Sequence, residues 1–226
     1  MTINKIPIKK LVQYRRMTER RKSGFVSNLQ RPVTPKEGGG DYWIRSLSAI
    51  SKAFRENDNT VIDDRLESIE SDLGGTQIRQ TQSMYKRNID ILNDFVGFDF
   101  SEWRPSANLE FLSQPRVQRL MSIKGLPIQV LPQHVFAFGP DNNRQVGAIW
   151  FVTWQDGYKV VDLGIYAEAL FMYLSEYYSG DYQVNASACM IVDVSDKNVV
   201  SYEQISSGAI PSVFGSVIDE IRSKIK

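Results

Sequence analysis

Residues 119–154 run RLMSIKGLPIQVLPQHVFAFGPDNNRQVGAIWFVTW. Short apolar runs rich in Val, Ile and Phe alternate here with Pro, Gly and Asn, the pattern of strands cut by turns. Strands are predicted at about Arg119 to Ile123, Ile128 to Phe138 and Val146 to Trp154. The stretch from Gly139 to Arg144 joins the last two as a hairpin loop, because Gly and Asn tolerate the positive φ that such loops use. Three consecutive strands with short links make an antiparallel meander.

Downstream, Asp162 can cap a helix to about Ser179 that is apolar nearly all round, from Leu163 through Leu174, and a helix of that kind is buried. Gly180 ends it. Ser187 to Val194 then reads as a central strand with Val199 to Tyr202 as its hairpin partner, and a last amphipathic helix begins near Pro211. Upstream of Gly97 the apolar period is near 3.6. Pro7 suits the first turn of a helix from about Ile8 to Lys22. Trp43, Leu47, Ile50 and Phe54 mark a second helical face, Ile62, Leu66 and Ile69 a third, and Ile78, Met84, Tyr85, Ile89, Leu92 and Phe95 a fourth.

The chain is therefore expected to be an α+β (α/β) protein. Its order is a helical N-terminal half, a three-strand antiparallel meander, a buried helix, a further strand pair and a C-terminal helix. It divides into a basic N-terminal arm and linker over 1–40, a helical region over 41–97 and a mixed α/β core over 98–226.

The net charge of +1 hides a strong asymmetry. Residues 1–31 hold nine Lys or Arg against the single acid Glu19, a local charge of +8 that leaves the remainder at −7. Arg15, Arg16, Arg20, Arg21 and Lys22 fall at steps that cover more than one side of a helix, which suits phosphate contacts without base reading. The same charges also suit docking on the chain's own acids, such as Asp63, Asp64, Glu67 and Glu70. Both readings stay open at this level.

Other candidates for chemistry are few. His134 is the one histidine, and its place inside a strand favours a hydrogen-bonded structural role over a catalytic pairing. Cys189 lies in the run Ala188 to Val192 and reads as a small core side chain, not a nucleophile. Gly38, Gly39, Gly40 and Asp41 lack the ending of a phosphate-binding loop and read as a joint. Asp156, Asp162, Glu168 and Glu110 lie near element ends without a diagnostic spacing, so surface carboxylates are the expectation. The cluster Trp150, Trp154, Tyr158, Tyr166, Tyr173, Tyr177 and Tyr178 reads as core plus an interface rim. No apolar run approaches the roughly 18–20 residues that span a bilayer, and the first residues are too polar for a signal peptide. A cytoplasmic protein without a membrane partner is expected.

The order helix, three strands, helix, strand resembles the core of PD-(D/E)XK nucleases. The segments Ile6 to Leu11, Arg15 to Lys22, Gly147 to Trp150 and Leu163 to Tyr166 also resemble parts of an uncharacterised family of bacterial proteins. The nuclease resemblance implies a carboxylate on the second strand, then an acid and a lysine two residues apart on the third, around Mg²⁺. At those places this chain has Gln133 and His134, then Ala148, Ile149 and Trp150. Gln133, His134 and Trp150 are thus expected to mark a degenerate site with no metal, no cofactor and no catalytic residue. The expectation is a catalytically degenerate nuclease-like protein that binds nucleic acid, a protein partner or a second copy of itself. The alternatives are an active metal-dependent nuclease or other hydrolase with a relocated acidic site, and a structural or regulatory assembly protein.

Overall fold

The structure is a computed structural model that describes residues 3–32, 42–114 and 119–225. Strands β1 (Ile6–Pro7), β2 (Glu110–Leu112), β3 (Leu120–Ile123), β4 (Leu126–Gln129), β5 (His134–Phe138), β6 (Gln145–Val152), β7 (Gln183–Asp193) and β8 (Asn198–Ser201) form two sheets. The five-stranded sheet has the order β2-β5-β6-β7-β8, and the small one β1-β4-β3. In the large sheet β6 and β7 run parallel, and the other pairs are antiparallel. A parallel pair needs a crossover, and helix α6 (Val160–Tyr177) supplies it.

Side chains alternate along β5 and β6, so the large sheet buries both faces. Val135, Ala148 and Val152 face one core, together with α6 and with helices α1 (Ile8–Arg15), α2 (Glu19–Leu29), α7 (Tyr202–Ser206) and α8 (Phe214–Lys224). Phe136, Ile149 and Phe151 face the other, under α3 (Ile44–Glu56), α4 (Thr60–Gly75) and α5 (Arg79–Asn93). The protein is α+β, in agreement with its residue pattern.

Within that class several elements differ from expectation. An antiparallel meander is present, but its first strand is β2 and not the stretch 119–123. The long strand expected over Ile128 to Phe138 is cut at Leu131-Pro132, because proline cannot donate to a ladder. Its first part pairs with β3 as a separate hairpin, closed at Lys124 and Gly125, which both have positive φ as a tight hairpin turn requires. The helix expected over Ile8 to Lys22 breaks at Thr18, whose backbone is extended. Residues 3–29, expected as an arm, are packed into the core: Ile6, Leu11, Val12 and Tyr14 are fully buried, and β1 pairs in parallel with β4. Ile78, expected on a buried face, is 65% exposed, since α5 begins only at Arg79. The Gly38 to Asp41 joint lies outside the described residues.

Strand β7 also starts earlier than its apolar run, at Gln183, through a bulge. Val146 faces Val184 while Ala148 faces Cys189, so residues 185–188 arch outward opposite Gly147. The Asn185 carboxamide holds the arch by accepting the Ala188 amide at 2.9 Å. Gly147 is required there, because a Cβ would lie 2.6 Å from the Ala188 methyl and 2.7 Å from its carbonyl oxygen. Gly147→Ala is therefore expected to cost about 1–3 kcal/mol by overpacking, read as a lower urea midpoint with an unchanged slope.

Candidate functional site

The carboxyl ends of parallel strands leave a crevice where their loops part. Beyond β6 the chain passes through Thr153 and Trp154 into a turn, which the Gly157 amide closes on the Trp154 carbonyl at 2.9 Å, and then enters α6. A cleft of about 220 Å³ opens beside this turn, lined by Lys9, Trp43, Leu47, Gln133, Trp150 and Tyr166 among others. Through Trp43 it continues into a hollow bordered by Arg87, Trp154, Ser195 and Asp196. Through Gln133 it adjoins another, bordered by Arg55, Arg119 and His134. The three hollows adjoin in a row, meeting at Trp43 and at Gln133, and together they are termed the groove.

Three of the chain's four tryptophans, Trp43, Trp150 and Trp154, are half-buried along this groove. Each is held by specific neighbours. The Asn88 carboxamide, buried in the helical layer, receives the Ser46 amide at 2.9 Å and donates to the Tyr42 carbonyl at 3.0 Å, which fixes the start of α3 and Trp43 with it. Trp150 meets the Tyr166 ring edge to face at 5.1 Å. The Arg16 guanidinium lies 4.5 Å over Trp154. Tyr158 and Tyr166 share a hydroxyl hydrogen bond of 3.1 Å beneath, and burial pushes the Tyr158 phenol up to about 12.

The basic residues split into two groups. Arg15 donates to Asp162 Oδ1 at 2.9 Å, and Arg16 donates to Asp162 Oδ2 through Nε at 3.1 Å and through Nη2. Arg16 also reaches the Gly157 carbonyl at 3.0 Å. Lys22 pairs with Glu220 at 2.8 Å and Glu19 at 3.0 Å. The acids that hold this segment are thus Asp162 and Glu220, not the α4 acids Asp63, Asp64, Glu67 and Glu70. Arg20 and Arg21 project to solvent. Asp162, expected as a surface cap, is fully buried in the first turn of α6 and also accepts the Lys159 amide at 2.9 Å.

At the positions expected to be degenerate, the Gln133 carboxamide and His134 Nε2 are occupied by the fold. Gln133 accepts the Phe151 amide at 2.8 Å and donates to the Phe151 carbonyl at 3.0 Å, so it extends the β5–β6 pairing with a side chain. His134 sets Nε2 2.9 Å from the Ser51 carbonyl and 2.8 Å from its hydroxyl, and burial lowers its proton affinity. Trp150 faces the α6 side of the sheet, whereas His134 stacks on Phe54 on the other side. The three do not converge. Among the described residues, no three His, Cys, Asp or Glu side chains are grouped to hold a metal ion.

Other candidates resolve plainly. Cys189 is buried and donates to the Asn185 carbonyl at 3.2 Å, and burial pushes its thiol up. Glu168 caps α8, accepting the Val213 and Phe214 amides at 3.1 and 3.2 Å. Glu110 pairs with Arg144. Asp193 is the residue that sequence reading passed over. It is fully buried at the end of β7, Oδ1 accepts the Ser195 amide at 3.1 Å, and Oδ2 has no hydrogen bond of normal geometry among the described residues. Desolvation, reinforced by Asp196, pushes its carboxyl up to about 6. Beside it, the Ser195 hydroxyl meets that of Thr153 at 2.6 Å. The available signal was an acid inside the apolar run Ile191 to Val194.

No helix among the described residues is long and apolar enough to cross a membrane. No family model, curated protein or solved structure matches the chain.

Removing Asp162 leaves two guanidiniums without their shared carboxylate. Asp162→Ala is expected to lower unfolding stability by about 3 kcal/mol, the lower end for a broken buried pair because both arginines reach solvent. Chemical denaturation checks this. For Asp193 the folded state keeps a proton that the unfolded chain releases, so stability falls as pH rises from about 4 to about 6 and is level above. The loss is about 3 kcal/mol on a two-unit shift. Denaturation midpoints measured across that window should show the slope in the wild type and a flatter one in Asp193→Asn.

Proposed function

We propose that the chain is a catalytically degenerate nuclease-like protein that binds single-stranded nucleic acid in the tryptophan-lined groove. The observation that carries this reading is the groove itself, with Trp43, Trp150 and Trp154 set along one path among Lys9, Arg87, Arg55 and Arg119. Indole faces offer stacking platforms for any unpaired base, and the cations offer partners to the backbone. The succession of meander, crossover helix α6 and parallel strand β7 supports the nuclease-like core. The occupation of Gln133 and His134 by backbone and Ser51 supports binding over cleavage at that place.

The basic segment contributes in two ways. Arg15, Arg16 and Lys22 are engaged by Asp162 and Glu220, and of the three Arg16 also holds Trp154 and Gly157 at the edge of the groove. Arg20 and Arg21 stay exposed and add positive field for the approach of a polyanion.

Fluorescence anisotropy with labelled single-stranded DNA and RNA, at several salt concentrations, tests this. Binding should weaken with salt and quench tryptophan emission. Trp43→Ala should weaken it about 10- to 100-fold, the value of one lost stacking platform. Binding that is absent, or indifferent to salt, would refute the reading.

A further inference from the structure

The hollow at the far end of the groove has a character of its own. Arg55, on the last turn of α3, and Arg119, just before β3, both line it, together with Gln114 and His134. Neither arginine makes an ion pair with a described residue, in contrast to Arg15, Arg16, Arg45 and Arg144. Among the described residues no carboxylate lines the hollow. The nearest acid on α3, Glu56, is turned to Lys52 at 3.8 Å. Arg55 is steered by the ring of Phe111, whose centroid lies 5.5 Å from the guanidinium carbon. The Gln114 amide leans across the mouth toward the Gln133 carbonyl at 3.4 Å.

Two guanidiniums without an ion-pair partner among the described residues, lining one polar hollow, form a site for an anion with several acceptor oxygens. The planar fork of arginine matches phosphate oxygens two at a time. The volume, about 410 Å³, exceeds what a phosphoryl group needs and leaves room for the sugar that carries it. Burial, and to a lesser degree the charge of Arg55, disfavours protonation of His134.

We propose that Arg55 and Arg119, with Gln114 and His134, form a phosphate-binding subsite at the end of the groove, for a phosphoryl group carried by the bound strand. The inference rests on the groove reading for the strand, though not for the phosphate itself. Gln133 borders both hollows, so a strand whose phosphate is held by the arginines would run on past Gln133 toward the tryptophan-lined cleft. The ring of His134 is anchored through Nε2 on Ser51, so it reports on the subsite from a fixed position.

The single histidine makes the test direct, since a histidine-labelled sample has one imidazole signal set. Titration with inorganic phosphate, against sodium chloride at matched ionic strength, should shift the His134 signals saturably. In Arg55→Ala/Arg119→Ala the shift should be lost. Both side chains lie at the surface, and a circular dichroism melt checks that the double variant stays folded. A single-stranded oligonucleotide with a 5′-phosphate should bind the double variant roughly tenfold or more weakly than the wild type. No shift beyond the chloride control, or an equal shift in the double variant, would overturn the subsite. Equal oligonucleotide affinity in wild type and double variant would also overturn it, and the groove reading would then rest on Trp43, Trp150, Trp154, Lys9 and Arg87 alone. A phosphate shift without oligonucleotide binding would uphold the subsite and refute the groove reading instead.

Discussion

The contact on which much of the rest depends is the buried carboxylate of Asp162, gripped by Arg15 and Arg16. One acid with no exposure receives two guanidiniums and a backbone amide, so its charge is met where water cannot reach it. The consequence is positional. The pair fastens the end of α1 to the start of α6, and α6 is the crossover that makes β6 and β7 parallel. Arg16 then covers Trp154 and reaches Gly157, so one interaction also sets the turn beside the groove.

The groove arises from how the layers meet. The large sheet is covered by α3 to α5 on one face and by α1, α2, α6, α7 and α8 on the other. At the carboxyl end of β6 these layers part, and aromatic side chains from both fill the edge: Trp43 from the helical layer, Trp150 and Trp154 from the strand and its turn. Half-buried tryptophan keeps an apolar body in the wall while a ring face remains for a ligand. Lys9, Arg87, Arg55 and Arg119 are among the lining residues, and the last two make no ion pair with a described residue.

Much of the fold was legible along the chain. Periodicity near 3.6 located α3, α4 and most of α5, and the nearly all-apolar run from Leu163 announced α6 as a buried helix. Short apolar runs bounded by Pro, Gly and Asn marked β5 and β6, and the hairpin loop between them is where Gly and Asn cluster. What misled was local similarity between competing partners. The stretch 119–129 has strand character, but strand character does not name the neighbour, and Pro132 diverts it into a second sheet with β1. The short β2 and the polar start of β7 carried no apolar run at all, and they exist because a neighbouring strand offers them a ladder.

The candidate site was legible only in its parts. Residue type and spacing alone were enough for the class of fold, the absence of acid and lysine where the nuclease resemblance asks for them, and the excess of positive charge near the start. Packing in three dimensions was needed to settle which acids neutralise that charge, that Trp43 joins Trp150 and Trp154 along one groove, and that Asp193 is buried with one oxygen lacking a hydrogen bond of normal geometry among the described residues. The reason is distance along the chain. Arg16 and Asp162, or Trp43 and Trp150, are brought together by packing between layers, and no local pattern of residues encodes that meeting.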